Sequence, residues 1–265
     1  MSTTNVRQRI VITSYTLRFW LVKEKKMTSK IVDPHVDLSP SSRLWFVLIF
    51  TYLFIPCILL VCGGDLGWWQ GWVYSVLLFL AGIAGRILAE KRHPGILVER
   101  SSIEKTQNTK SWDKVLSPLM AISLTFPLVI VAGLDHRYVW TPSFSTWLNI
   151  IGLIFIMLGY VLAAWALIEN RFFSSTVRIQ TDRGHSVCDS GPYRIVRHPG
   201  YAGNLLALPG MVLALGSVWI LIPAMVALII AVIRTSLEDR TLQEELPGYQ
   251  DYAQRVRYRL IPWIY

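Results

Sequence analysis

Apolar residues in this chain fall into long runs separated by short polar segments. The runs Leu44–Cys62, Trp72–Ala89, Val115–Leu134 and Trp147–Ile168 each approach the ~20 residues that carry a helix across ~30 Å of hydrocarbon. A shorter pair follows, Tyr201–Leu215 and Val218–Ile233, with only Gly216 and Ser217 between them. At ~1.5 Å per residue the longer of these covers about 24 Å, so the pair reads as a tight helical hairpin in a thinned region or one relying on its polar flanks. Pro56, Pro127, Pro209 and Pro223 lie inside runs, where neighbouring membrane helices tolerate them. The pattern predicts an all-α integral membrane protein with about six transmembrane helices.

The polar segments supply the organisation. Residues 1–43 form a basic arm, with a short apolar patch at Ile10–Ile12 and no long apolar region before a small-residue cleavage site, so no signal peptide is read. Met27 is a second plausible start. Residues 44–146 hold the N-terminal membrane helices, and 147–265 hold the region where polar motifs concentrate. Of the 26 Lys and Arg, all but Arg137 fall on alternate sides of the runs, with Arg86 assigned by snorkelling. That asymmetry predicts six spans with both termini cytoplasmic. Trp68, Trp69, Trp72, Trp140 and Trp147 gather near the opposite boundary, as aromatic belts do.

Composition narrows the classes. The chain is 53% apolar and 16% charged, with mean hydropathy +0.42, against roughly a quarter charged in soluble domains. The formal charge of +9 faces the inner leaflet in this topology, and no nucleic-acid-binding signature accompanies it, so no nucleic-acid partner is expected. Cys57, Cys62 and Cys188 lack zinc spacing and the histidines are scattered, so no metal is expected. Gly152, Gly159 and Gly184 make no GxGxxG, and the first two, on one run, suit close helix approach.

Three polar stretches converge on the cytoplasmic side: Asn170–Ser190, Gly191–Asn204 (GPYRIVRHPGYAGN) and the segment from Arg234 onwards. Between Val218 and Glu245 nothing but Pro223 interrupts a helix, which should run out of the membrane and stop at Pro247-Gly248. Arg234 and Glu238, one turn apart, share a face of that helix at headgroup depth. Glu90–Arg100 echoes the RHPG of 197–200 and reads as an interfacial turn. Arg194 and Arg197 suit headgroup anchors as well as a site, and Arg255, Arg257 and Arg259 suit lipid phosphates.

GPY-x-x-V-RHP-x-Y-x-G at 191–203 resembles the signature of the isoprenylcysteine carboxyl methyltransferase and phospholipid methyltransferase superfamily. The segment from Arg234 through Glu238, Leu242, Gly248, Tyr252 and Arg257 to Pro262 resembles its second motif, and Gly184–Ser190 resembles its GH-x-L-V segment. Asp239 departs from the usual glutamate, Cys188 from valine, and Arg178 stands where a cofactor-touching glutamine is expected. The resemblance implies an S-adenosylmethionine cofactor in a cytoplasmic pocket beside a C-terminal catalytic helical hairpin. It places His185, Val187, Cys188, Tyr193, His198, Pro199, Tyr201, Gly203 and Glu238 around the cofactor. Arg234 and Glu238 become the catalytic candidates, Arg234 gripping an anionic acceptor in a bidentate way. The partners implied are the bilayer and a lipophilic small-molecule acceptor bearing a carboxylate, amine or thiol. Two other readings stay open: an NADPH-dependent membrane enone or sterol-type reductase, which carries a similar RHP-x-Y pattern, and a non-catalytic membrane protein.

Overall fold

A computed structural model describes residues 39–101 and 109–265. Most of the basic arm, including Met27, therefore lies outside the described residues. The first apolar run becomes α1 (Ser42–Gly63), whose start is fixed by Ser41 accepting the Leu44 N–H and whose end is the left-handed Gly64. Its outer face is a ladder of stacked Phe46, Phe50 and Phe54, exposed as a lipid-facing surface should be. Helix α2 (Trp69–Arg92) follows, then the short α3 (Ile96–Ser101). The turn between them is capped by Glu90, whose carboxylate accepts from the Gly95 and Leu97 N–H groups.

The third run is not one helix. It divides into α4 (Asp113–Ser123) and α5 (Phe126–Tyr138) at Leu124–Thr125. Pro127 has no N–H to donate and its ring clashes with the carbonyl of Ser123, so the α-helical ladder breaks one turn earlier. Together the two still make a stretch long and apolar enough to cross a membrane. Helix α6 (Thr146–Glu169) is the fourth run.

The hairpin is present as read, with one short arm. Helix α7 (Pro199–Leu215) has 17 residues, and a single turn Val218–Ile220 leads into α8 (Leu221–Glu245). Among the described residues five helical stretches have spanning length and α7 is the shorter apolar sixth. The 28 residues of Val218–Glu245 rise ~42 Å, so the last turns of α8 extend past the hydrocarbon into the polar segments. Pro247 and Gly248 stop it, and α9 (Tyr249–Arg255) folds back.

Helices α6 and α7 form the closest pair. Gly152 faces Gly210 and Ala214, and Gly159 faces Gly203 and Ala207. A Cβ built at Gly203 would lie 2.4 Å from the Gly159 carbonyl oxygen. Without a hydrophobic force between helices in lipid, such small-residue faces supply the packing that joins them. This pairing brings the end of α6 and the start of α7 to the same end of the bundle as the polar end of α8.

Candidate active site

The GPYRIVRHPGYAGN stretch folds as two turns and a helix start. Gly191, at φ 53°, opens a 3-10 turn through Arg194, and Pro199 takes the first position of α7, where its missing N–H costs nothing. Between them, Arg197 and His198 donate their backbone N–H groups to Tyr258 O and Arg259 O, each at 2.9 Å. The C-terminal segment is thereby tied to the stretch that the motif occupies.

Asp239 secures this junction from below. Its carboxylate, fully buried, accepts from Arg197 Nε at 2.7 Å and Nη2 at 2.9 Å, from Arg259 Nε at 2.9 Å, from Tyr249 OH at 3.0 Å and from Gln243 at 2.8 Å. His198 Nε2 lies 3.4 Å away. Arg197 also donates from Nη1 to Val256 O at 2.8 Å and Arg257 O at 2.9 Å. Arg197 and Arg259 are thus internal struts, and the headgroup role open to them in the sequence is taken from both. Arg255 pairs with Asp189 at 3.1 Å, and Arg194 stays exposed.

A second network is built around Tyr201. Its hydroxyl donates to Glu238 Oε2 at 2.6 Å and accepts from Arg234 Nη1. Arg234 and Glu238 are therefore linked through Tyr201, not by the direct pair their spacing suggests. Arg234 is 2% exposed, and its bidentate partner is Asp113, at 2.7 Å from Nε and 3.2 Å from Nη2; Nη2 also reaches Ser175 O at 3.0 Å. The fork that should grip an acceptor is committed to a buried aspartate. Asp113 accepts in addition from Val177 N–H at 2.6 Å, which fixes the loop after α6.

Above these networks lies a cleft open to solvent. His185, Val187, Cys188, Tyr193, His198, Tyr201 and Glu238 line it. Pro199 and Gly203 do not: Pro199 begins α7, and Gly203 is pressed against α6, where it serves packing. Arg234 sits behind Tyr201, outside the lining. The sequence had not singled out Phe172, Phe173, Gln180 and Tyr249, which also form the walls with Asn170 and the motif residue Tyr252, although they lie in its converging polar stretches. Gln180, 1% exposed, donates to Phe172 O at 2.8 Å and shapes the loop. Arg178 lines the cleft already paired, with Glu99 and with Asp182.

The walls are electrostatically quiet except at Glu238. Burial, followed by the charges of Arg178 and Arg183, pushes the His185 imidazole down to about 4, so it is neutral at physiological pH. Its Nδ1 accepts from Gln180 N–H at 3.3 Å, and its ring tilts against Phe172. Burial pushes the Cys188 thiol up, which makes it a poor nucleophile. Among the described residues no group of three His, Cys, Asp or Glu is placed to hold a metal ion.

Comparison with known proteins agrees with the motif. The phospholipid methyltransferase family model matches residues 147–247, from α6 through the cleft to the end of α8. A probable protein-S-isoprenylcysteine O-methyltransferase of Oryza sativa subsp. indica is 27% identical over 138 residues, 52% of this chain and 66% of the rice protein. Residues 147–247 are thus similar to the phospholipid methyltransferase family, and about half of the chain is similar to a protein-S-isoprenylcysteine O-methyltransferase. The similarity is not tied to one name: the cobalt-zinc-cadmium resistance protein CzcN of Cupriavidus metallidurans is 34% identical over 114 residues, 42% of this chain and 50% of CzcN. A solved structure of a eukaryotic intramembrane Ras methyltransferase, isoprenylcysteine carboxyl methyltransferase, aligns over 95% of this chain and 94% of its own, at 18% identity and a TM-score of 0.48. The family-model match begins at α6, so Glu99 and Asp113, which brace Arg178 and Arg234, come from outside that segment.

Proposed function

We propose that this chain transfers a methyl group from S-adenosylmethionine to a lipophilic acceptor at the cytoplasmic membrane interface, with both termini on that side. The observation that carries the reading is the Glu238–Tyr201–Arg234–Asp113 network at the edge of a cleft made of superfamily motif residues. The residues suit the cofactor. Its cationic sulfonium and adenine favour aromatic faces and a carboxylate, which Phe172, Phe173, Tyr249 and Glu238 offer. The neutral His185 adds no competing positive charge.

When bound beside Glu238 and the aromatic walls, the cofactor would supply an activated methyl group for displacement by the acceptor. The protein's part in such a displacement is alignment and charge placement more than proton transfer. Tyr201 is held in one orientation by Glu238 and Arg234, and Asp113 keeps Arg234 from moving. A carboxylate acceptor releases no proton. An amine or thiol acceptor releases one, and Glu238 or His198 is the base within the cleft.

NADPH fits less well, because a phosphate-rich dinucleotide needs free cations. Both arginines in the lining, Arg178 and Arg197, are already bound to carboxylates. Calorimetry of S-adenosylhomocysteine and NADPH against the purified protein in neutral detergent tests the reading. Binding of S-adenosylhomocysteine alone is expected, with Glu238→Gln and His198→Ala each reducing it more than tenfold in a protein that still unfolds cooperatively. NADPH binding alone reinstates the reductase. Binding of neither by folded protein supports the non-catalytic reading.

A further inference from the structure

Two guanidinium groups of the N-terminal half take no part in the networks above. Arg86 lies on α2, which ends at Arg92, so it sits about 9 Å inside that end along the axis. At such a depth an arginine commonly snorkels to the nearer interface, as the sequence suggested. Its side chain runs the other way. Nη1 donates to Gly82 O, one turn deeper, at 3.2 Å and to the Tyr52 hydroxyl of α1. The guanidinium carbon lies 4.7 Å from the centre of the Tyr52 ring. A Cβ at Gly82 would fall 2.2 Å from that ring, so the glycine is what lets Tyr52 lie against α2 and receive Arg86.

Arg100, on α3, approaches from the polar side. It donates to Phe173 O at 3.3 Å, with its guanidinium carbon 4.9 Å from the Phe173 ring centre, and Phe173 is itself a cleft wall. Burial, then the positive charge of Arg86, brings Arg100 down to about 10, with Tyr52, Tyr201 and Tyr193 in electrostatic range. Among the described residues neither group pairs with a carboxylate, whereas the buried Arg178, Arg197 and Arg234 each do. Two half-buried guanidinium groups at the polar edge of the bundle, neither with a carboxylate partner, suit an incoming anion. Ionisable groups at membrane depth mark functional sites by default.

We propose that Arg86 and Arg100, seated on Tyr52 and Phe173, hold the anionic head of the lipophilic acceptor, a carboxylate or a phosphate, beside Tyr201. This deepens the methyl-transfer reading and rests on it. It also answers how an anionic acceptor is held when Arg234 is committed to Asp113. The hydrocarbon chain would lie along the lipid-facing side of α1 and α2.

The test uses the full chain in neutral detergent with dodecanoate, dodecyl phosphate and dodecanol as probes. The native protein should bind at least one anion tenfold or more tighter than dodecanol, the tighter anion naming the head group. Arg86→Gln and Arg100→Gln should each erase that preference while S-adenosylhomocysteine binds as before, and Arg86→Lys should keep it within about threefold. On native protein, which needs no variant to fold, dodecanoate should protect Arg86 and Arg100 from phenylglyoxal and dodecanol should not. Equal binding of anion and alcohol, or unchanged preference in both Gln variants, overturns the proposal. Loss of S-adenosylhomocysteine binding in the native protein strikes the methyl-transfer reading alone, since anion preference is read without the cofactor.

Discussion

The two ends of the helical bundle are both rich in polar side chains, yet they use them differently. At the end away from the cleft, Asp135 accepts from the Thr141 N–H at 2.8 Å and its hydroxyl at 2.6 Å, and Thr141 receives the Val218 N–H at 3.3 Å. Asn149 donates to Leu213 O at 2.9 Å, and Asp65 meets His136 at 3.0 Å with Trp68 stacked on the imidazole. These groups tie off helix ends, and the contacts just described involve no arginine. At the cleft end, Asp113 and Asp239 are joined to arginines from distant segments and Glu238 to Tyr201, and Glu238 lines the cleft itself. Polar density alone therefore does not mark the site. What marks it is buried carboxylates paired with arginines beside open space.

The largest test of this contrast removes one aspartate from each end. Asp113→Ala strands the buried Arg234 and should cost about 3–5 kcal/mol, together with the activity. Asp135→Asn keeps an acceptor for Thr141 and should cost only about 1–2 kcal/mol. Thermal or denaturant unfolding in detergent checks both, and equal losses would erase the distinction. Next in size is Gly203→Ala, where the added Cβ meets α6 backbone. It should destabilise by about 1–3 kcal/mol while S-adenosylhomocysteine affinity of the folded fraction stays within threefold. A tenfold affinity loss without destabilisation would return Gly203 to the cofactor site that its motif position implies.

The pH dependence is a smaller effect. His185 is held at about 4, below its ordinary 6.5, so between those values the unfolded chain binds more protons than the folded one. The stability this group contributes is complete above pH 6.5 and is lost as pH falls towards 4. S-adenosylhomocysteine affinity should accordingly show no step from His185 between pH 6 and 8 and should weaken below about 5, and His185→Asn should remove that acid limb. The smallest effect is expected at the far end, where Asp65→Asn touches an exposed pair and should leave the melting temperature unchanged.

Much of the layout was readable from the chain because membrane spans and motif turns are local signals. The spans follow from run length, Gly152 and Gly159 from their spacing, and the convergence of 170–204 with the end of α8 from topology. The supporting carboxylates were not readable. Asp113 sits 121 positions from Arg234 and, at the first turn of α4, reads as an ordinary helix-start acid. Asp239 reads as a shortened glutamate in a motif, and only the return of the C-terminal segment shows that it gathers Arg197 and Arg259. The break at Leu124–Thr125 was missed because a proline in a membrane run is compatible with either a continuous or a divided helix.

The facing glycines of α6 and α7 carry a consequence for how this sequence can vary in length. Gly152 and Gly159, like Gly203 and Gly210, are two turns apart, so both faces stay in phase over their length. Inserting or deleting one residue in α7 between Gly203 and Gly210 would turn one half of the helix by ~100° against the other. Either the glycines would leave α6 or Tyr201 would leave Glu238. Substitutions on the lipid side of these helices should accumulate freely, while single-residue insertions and deletions between the glycine pairs should be absent from functional variants.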